Sequence, residues 1–289
     1  MLQDIYPHIF HNEFRLMAPA DDDIIICVDG RKVLMDEKRQ GQTEENCLGM
    51  LPTYGEIASE YPDRIKSFVY LISVDDTRYF SPVTALKEHG RFHYASEMLL
   101  REMDQDPYAF AASVAIQLTQ WYQLHQFCGR CGCRTRHSEI ERAIICPECH
   151  HTYYPRINPV VIIAVTDGNR LLLTRYNRSG YRRHALVAGF VEVGETLEEA
   201  VQREIMEEVG LKVKNIRYCE SQPWPFSSSL IAGFFADVDG SPEVTLNTDG
   251  GDELKEAVWV EREKIEIEDN NVSLTWDMIR RFKAGQEPG

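Results

Sequence analysis

The hydrophobic pattern changes character along the chain. Ile24 to Val28 and Phe68 to Ile72 are short continuous apolar runs ending in polar turns, which predicts buried strands. Ala111 to His125 (AASVAIQLTQWYQLH) instead spaces its apolar residues for a helix. Residues 124–153 hold little apolar material and much Cys, Arg and His. From Pro159 onward the pattern is α/β. Val160 to Val165 reads as a buried strand, Asp167-Gly168-Asn169 as a hairpin turn and Leu171 to Leu173 as its return. Leu230 to Val238 and Ala257 to Val260 read as further strands, and Asn271 to Ala284 as a closing helix. These breaks predict an N-terminal α+β domain over 1–123, a small insert over 124–153 and an α/β domain over 154–289.

Inside the last domain, Gly189 to Leu211 (GFVEVGETLEEAVQREIMEEVGL) is the most informative stretch. Thr196 and Glu199 have the spacing of a capping box, so a helix is expected to start near Leu197. Gly210 fits the position just beyond its C-terminus. Val201 and Ile205 lie one turn apart on the face that should be buried. Glu204 and Glu208 lie one turn apart on an adjoining face, with Glu207 beside them. Seven glutamates between Glu192 and Glu208 face a single arginine, Arg203. Like charges at that spacing weaken a helix, so cation binding is the natural explanation. Hard oxygen donors suit magnesium or manganese rather than zinc.

Charge and cysteine placement sharpen this picture. The 289 residues carry a formal charge of −15, from 46 acidic against 31 basic side chains. That excludes a general nucleic-acid coat, so no DNA partner is expected. It also means that an anionic substrate needs bound cations or a local basic patch, for which Arg175, Arg178, Arg182 and Arg183 are candidates. No apolar run approaches the roughly 18 residues of a membrane span, and MLQDIYPHIF lacks a basic-then-apolar leader pattern. Five of the eight cysteines crowd between 128 and 149, which is a metal pattern of a reduced, cytoplasmic protein rather than a disulfide framework. Cys128-Gly-Arg-Cys131 and Cys146-Pro-Glu-Cys149 are two Cys-x2-Cys pairs separated by fourteen residues. Four thiolates close a tetrahedral zinc site, which makes it structural. Cys133 and His150 are rival ligands. Arg130, Arg134, Arg136 and Arg142 make the insert basic, either as a nucleic-acid contact or as solvated loop charge. Asp21-Asp22-Asp23 reads as solvated loop, and the first domain offers no catalytic constellation.

The stretch from Gly189 resembles the Nudix box, Gly-x5-Glu-x7-Arg-Glu-U-x-Glu-Glu-x-Gly-U with U apolar. Gly189, Glu195, Arg203, Glu204, Ile205, Glu207, Glu208, Gly210 and Leu211 occupy its nine fixed positions. The resemblance implies an α/β/α sandwich and hydrolysis of a nucleoside diphosphate linked to another moiety. By analogy Glu204 and Glu208 are metal ligands, Glu207 is a ligand or the water-activating base, and Arg203 orients the carboxylates. Glu195 belongs to the site with its role open. Downstream, Ser221-Gln222-Pro223-Trp224-Pro225-Phe226, followed by Ser227 and Ser229, is similar to the SQPWPFPxS signature of bacterial NADH pyrophosphatases, the NudC-like group. Ser227 departs from it, standing where the pattern has proline. Pro223 and Pro225 should hold the Trp224 ring outward as a platform for a base.

The order of N-terminal domain, four-cysteine ribbon and Nudix domain is also that group's. The resemblance adds Tyr154 and Phe190 as base-binding aromatics and Glu256 as a late metal ligand. It implies pyrophosphate cleavage of NADH or NAD to nicotinamide mononucleotide and AMP, removal of NAD caps from RNA 5′ ends, zinc plus magnesium or manganese as cofactors, and a homodimer. Two other functions compete: a Nudix hydrolase for ADP-ribose or a diadenosine polyphosphate, and a zinc-ribbon nucleic-acid binding module on an inactive Nudix scaffold.

Overall fold

The computed structural model describes residues 1–36, 47–62, 67–101, 103, 106–177, 184–248, 250–267 and 271–288. Arg178, Arg182 and Arg183 therefore lie outside the described residues. The chain forms two compact units, one over Leu2–Arg156 and one over Ile157–Gly289 with Met1.

In the first unit the apolar run at Ile24 does not form one strand. Ile24–Ile25 pairs with Thr77–Pro82 in a four-stranded sheet, while Val28–Asp29 pairs with Lys32–Asp36 in a separate three-stranded sheet. The run is buried throughout, so its hydrophobicity is right, but the chain changes sheets within it. The strand expected at Phe68 is Phe68–Val74. The helix expected at Ala111 begins earlier, at Pro107–Leu124, because the Asp106 carboxylate caps Tyr108 N and Ala109 N and proline is tolerated in a first turn. The cysteine-rich segment adds a three-stranded sheet of Arg136–His137, Ile144–Ile145 and Thr152–Tyr153.

The second unit is built on a six-stranded mixed sheet. Its strands run in the order Val213–Trp224, Ser229–Val238, Asn158–Asp167, Arg170–Tyr176 and Leu254–Glu261, and Val187–Phe190 also pairs with Asn158–Asp167. Asn158–Asp167 is apolar on both faces because both are covered. Val161, Ile163 and Val165 pack with Val201, Ile205 and Val209 of the helix Leu197–Val209. Ile162 and Ala164, pointing the other way, pack with Trp276, Ile279 and Phe282 of the helix Leu274–Ala284. One strand thus supplies two cores. The result is the expected α/β/α sandwich, although the closing helix starts at Leu274, with Ser273 in the capping position, rather than at Asn271. Among the described residues no helix is long and apolar enough to cross a membrane.

Candidate active site

The acidic helix is capped at both ends as its sequence predicts. Thr196 Oγ1 accepts from Glu199 N at 3.2 Å, and Glu199 returns a carboxylate to Thr196 N at 2.8 Å. Gly210 ends the helix at φ +69°, a left-handed conformation that glycine adopts without a steric penalty. Between the caps, Val201 and Ile205 are fully buried, and Glu204 and Glu208 are only 9% and 5% exposed.

Arg203 organises the carboxylates. Its Nε and Nη2 donate to the two oxygens of Glu195 at 2.5 and 2.9 Å, its Nη1 to Glu204 at 2.7 Å and Glu207 at 2.9 Å, and its Nη2 also to the Phe190 carbonyl at 2.9 Å. Those contacts engage all five N–H donors of a guanidinium. Glu195 is consequently held down at about 2, chiefly by its bonds to Arg203. Glu204 moves the other way: burial raises it, Arg203 opposes the rise, and the neighbouring charges of Glu207 and Glu253 add to it. Four carboxylates (Glu195, Glu204, Glu207 and Glu208) against one saturated guanidinium leave a surplus of three negative charges on one helix and its lead-in. A donor set of this kind fits hard divalent cations.

Gly189 explains how the buried carboxylate is accommodated. A Cβ at this position would overlap the Glu204 carboxyl group, so the bare backbone of the strand Val187–Phe190 is the cradle in which Glu204 lies. We expect Gly189→Ala to lower kcat/KM by at least about 10-fold, since a displaced ligand costs on the order of 10–100-fold in metal affinity or activity. Kinetics over a magnesium titration check this, and unchanged parameters would show that the helix gives way at no cost.

The four ribbon cysteines converge. The Sγ atoms of Cys128, Cys131, Cys146 and Cys149 all lie within 4.8 Å of one another, with Cys128–Cys149 at 3.5 Å and Cys131–Cys146 at 3.4 Å. A tetrahedron with metal–sulfur bonds near 2.3 Å has edges of about 3.8 Å, so the set fits zinc. Cys133 and His150 are not in this group. Both knuckles turn alike: Gly132 N donates to the Cys128 carbonyl and His150 N to that of Cys146. The Tyr153 hydroxyl lies 3.3 Å from Cys128 Sγ and accepts from Gly129 N at 2.8 Å, and it is the main cause holding the Cys128 thiol down at about 5. Tyr153 is thereby part of the ribbon. Arg142 is likewise structural, its half-buried guanidinium donating to the carbonyls of Asn12 and Glu13.

A family model for the Nudix domain matches residues 156–282, and one for the NADH pyrophosphatase zinc ribbon domain matches residues 123–154. The NAD-capped RNA hydrolase NudC of Salmonella heidelberg (strain SL476) is 44% identical over 179 residues, spanning 62% of this chain and 67% of that protein. The chain belongs to the Nudix hydrolases, in the NudC-like group of NADH pyrophosphatases. The NAD-capped RNA hydrolase NudC of Citrobacter koseri (strain ATCC BAA-895) matches with the same identity and coverage. A solved NUDIX hydrolase from Nitrosomonas europaea is 26% identical, covering 56% of this chain and 92% of its own at a TM-score of 0.48.

In the specificity segment of this NudC-like hydrolase, strand structure runs as far as Trp224. The strand Val213–Trp224 continues through Ser221, Gln222 and Pro223, with Pro223 opposite Leu230 and Trp224 opposite Ser229. It is the edge strand, where a proline without an N–H is tolerated. Trp224 is half-buried, and its ring meets Phe226 edge-on at 5.2 Å and 66°. Gln222 is an internal tie. Fully buried, it donates to the Val272 carbonyl and accepts from Leu274 N, both at 2.8 Å, fastening the strand to the start of the closing helix. Ser229 is also buried, its hydroxyl 2.9 Å from that of Ser227. A long-range amide tie of this kind leaves no periodic signal in the sequence. Phe190 is 55% exposed, on the backbone that Arg203 grips. Tyr154 is 59% exposed and belongs to the first unit, where its hydroxyl bonds Glu141 at 3.2 Å. Glu256 faces Arg175 across paired strands, at 3.2 Å. Glu253, whose charge reaches Glu204, is an acid that the motif match did not single out.

Proposed function

We propose that this NudC-like enzyme hydrolyses the pyrophosphate bond of NADH and NAD to nicotinamide mononucleotide and AMP, and removes NAD caps from RNA 5′ ends. The observation that carries the hydrolytic part is the surplus of carboxylates around one saturated arginine, on a helix whose sequence is a complete Nudix box. Support for the substrate comes from the Trp224–Phe226 aromatic pair in its family signature, from the matching ribbon, and from relatives named NAD-capped RNA hydrolases.

Magnesium or manganese, when bound, neutralises the pyrophosphate and lowers the pKa of a coordinated water. The chain's own part is positional. Glu204, Glu207 and Glu208, with Glu256, are the residues assigned to hold the cations. Arg203 fixes the directions of Glu195, Glu204 and Glu207 before substrate arrives, which is where a charge-stabilising site gains its catalytic advantage. The Glu207 side chain, 39% exposed against 11% for Glu204, is the open member of the pair and serves as ligand or base. Trp224, Phe226 and Phe190 offer ring faces to the bases, with Ser221 as a further contact; Tyr154 is assigned to base binding on the resemblance alone. A homodimer in the cytoplasm belongs to the same proposal and rests on the resemblance.

Turnover of NADH, NAD, NAD-capped RNA and ADP-ribose, measured in parallel, tests the assignment. The nicotinamide dinucleotides and the capped RNA should be cleaved, and a clear preference for ADP-ribose overturns the reading. In the same assay Trp224→Ala should lose ~5- to 150-fold in kcat/KM, mainly through KM, because stacking is worth about 1–3 kcal/mol per base. A sharp fall in melting temperature with KM unchanged would make Trp224 a packing residue instead.

A further inference from the structure

The last four carbonyls of an α-helix have no partner within it. In the helix Leu197–Val209 the last three are met by backbone donors of a short segment nearly forty residues downstream. Thr245 N donates to the Val209 carbonyl at 3.0 Å, Asn247 N to Glu208 at 2.9 Å and Thr248 N to Glu207 at 2.7 Å. Thr248 Oγ1 adds a bond to the Met206 carbonyl at 2.6 Å, which also accepts from Gly210 N at 3.1 Å, and lies 3.1 Å from the Glu207 carbonyl. These are the backbones of the acidic residues themselves and their neighbours. The segment is seated by Val244 and Leu246, which pack on the core beneath the helix. It also lies close on Gly210, where a Cβ would come within 3.1 Å of Thr245 and 3.2 Å of Thr248.

Asn247 then faces the other way. Its Nδ2 donates to the Leu254 carbonyl at 2.9 Å while its Oδ1 accepts from Leu254 N at 3.1 Å, so one amide stands in for a paired strand residue. Its φ of +52° is one that asparagine tolerates better than most side chains. Leu254 opens the strand that carries Glu256, and Glu253 immediately precedes it.

We propose that Asn247 and Thr248 are positioning residues for the divalent-cation site. Thr248 fixes the helical turn bearing Glu207 and Glu208, and Asn247 fixes the start of the strand bearing Glu253 and Glu256. Two adjacent residues thereby set the separation between the two carboxylate-bearing elements. The inference deepens the proposed function and rests on its reading of the carboxylates as the cation site.

The test is manganese binding by the full chain, followed through the EPR signal of free Mn2+, alongside kcat, KM and a thermal melt. Thr248→Val keeps the backbone N–H bond and removes only the hydroxyl donor; Asn247→Gly keeps the left-handed backbone and removes the tie to Leu254. Each should weaken Mn2+ binding about fivefold, the effect of losing one hydrogen bond, with KM within about twofold of the parent and kcat reduced. Thr248→Ser should restore Mn2+ affinity. Glu207→Gln is the control for the underlying reading and should weaken binding on its own. If that control binds normally, the cation-site reading falls. If the control weakens while Thr248→Val and Asn247→Gly bind Mn2+ like the parent, the positioning proposal falls, whatever the melts show. If Asn247→Gly does not fold, the Thr248→Val and Thr248→Ser pair decides alone.

Discussion

Replacing Glu208 by glutamine is expected to lower kcat at least about 100-fold, as metal ligation contributes several kcal/mol to transition-state charge stabilisation. The same variant should melt, without divalent metal, at or above the temperature of the parent chain. The two outcomes have one cause. Glu204 and Glu208 stand one turn apart, both buried, on a helix whose single arginine already has all its donors engaged, one of them on Glu204. Like charges so placed repel, and glutamine removes one of them without changing the side chain's shape. A carboxylate kept for packing would behave in the opposite way, its neutral variant keeping its activity and losing stability. Added magnesium should raise the melting temperature of the parent more than that of the variant, because only a ligand bound by the folded state stabilises it. Near-normal turnover at saturating magnesium would remove Glu208 from the site.

The second large effect belongs to the ribbon. Protein purified without added metal should contain one zinc per chain, and Cys146→Ser should abolish it. We expect the transition of the first unit to fall by at least about 10 °C, since metal-binding free energy in such small motifs is folding free energy. The strands Arg136–His137, Ile144–Ile145 and Thr152–Tyr153 are two residues each, too short to hold together without a staple. Cys133→Ser is the matched control, since Cys133 lies outside the converging group, and it should retain zinc. Elemental analysis and a melt of both variants decide the matter. Zinc retained by Cys146→Ser would return Cys133 or His150 to the ligand set.

Much of the site was legible because its information is local. A capping box, a terminal glycine and the Nudix spacing all act within about twenty residues, and the helix Leu197–Val209 begins and ends where they place it. The paired cysteines were equally legible, since each turn is set by four consecutive residues. What escaped the sequence depends on residues far apart in the chain. That Gln222 ties its strand to the closing helix is decided by Val272 and Leu274, fifty residues away. That Trp224 pairs opposite Ser229 at the sheet edge and meets the Phe226 ring depends likewise on the sheet's tertiary arrangement. The run from Ile24 to Val28 divides between two sheets for a similar reason: its residues are all buried, so hydrophobicity cannot mark where the chain turns.

The two-faced strand Asn158–Asp167 carries a related consequence for how the sheet finds its alignment. In a strand with one wet face, a slip of one residue drives apolar side chains into water, and that cost sets the register. Here a slip would merely exchange one apolar face for another, since Val161, Ile163 and Val165 would trade places with Ile162 and Ala164. The instruction for alignment must therefore reside at the polar ends. Asn158 bonds the Ser228 carbonyl through both its backbone N–H, at 2.8 Å, and its side chain, at 3.1 Å. At the far end Thr166 Oγ1 donates to Asp237 at 2.8 Å, one residue before the turn in which Gly168 takes φ +57°. Ten residues of hydrophobic strand are thus indexed by a few polar atoms at either end, and it is there, rather than in the core, that this sheet distinguishes its correct pairing from the neighbouring wrong one.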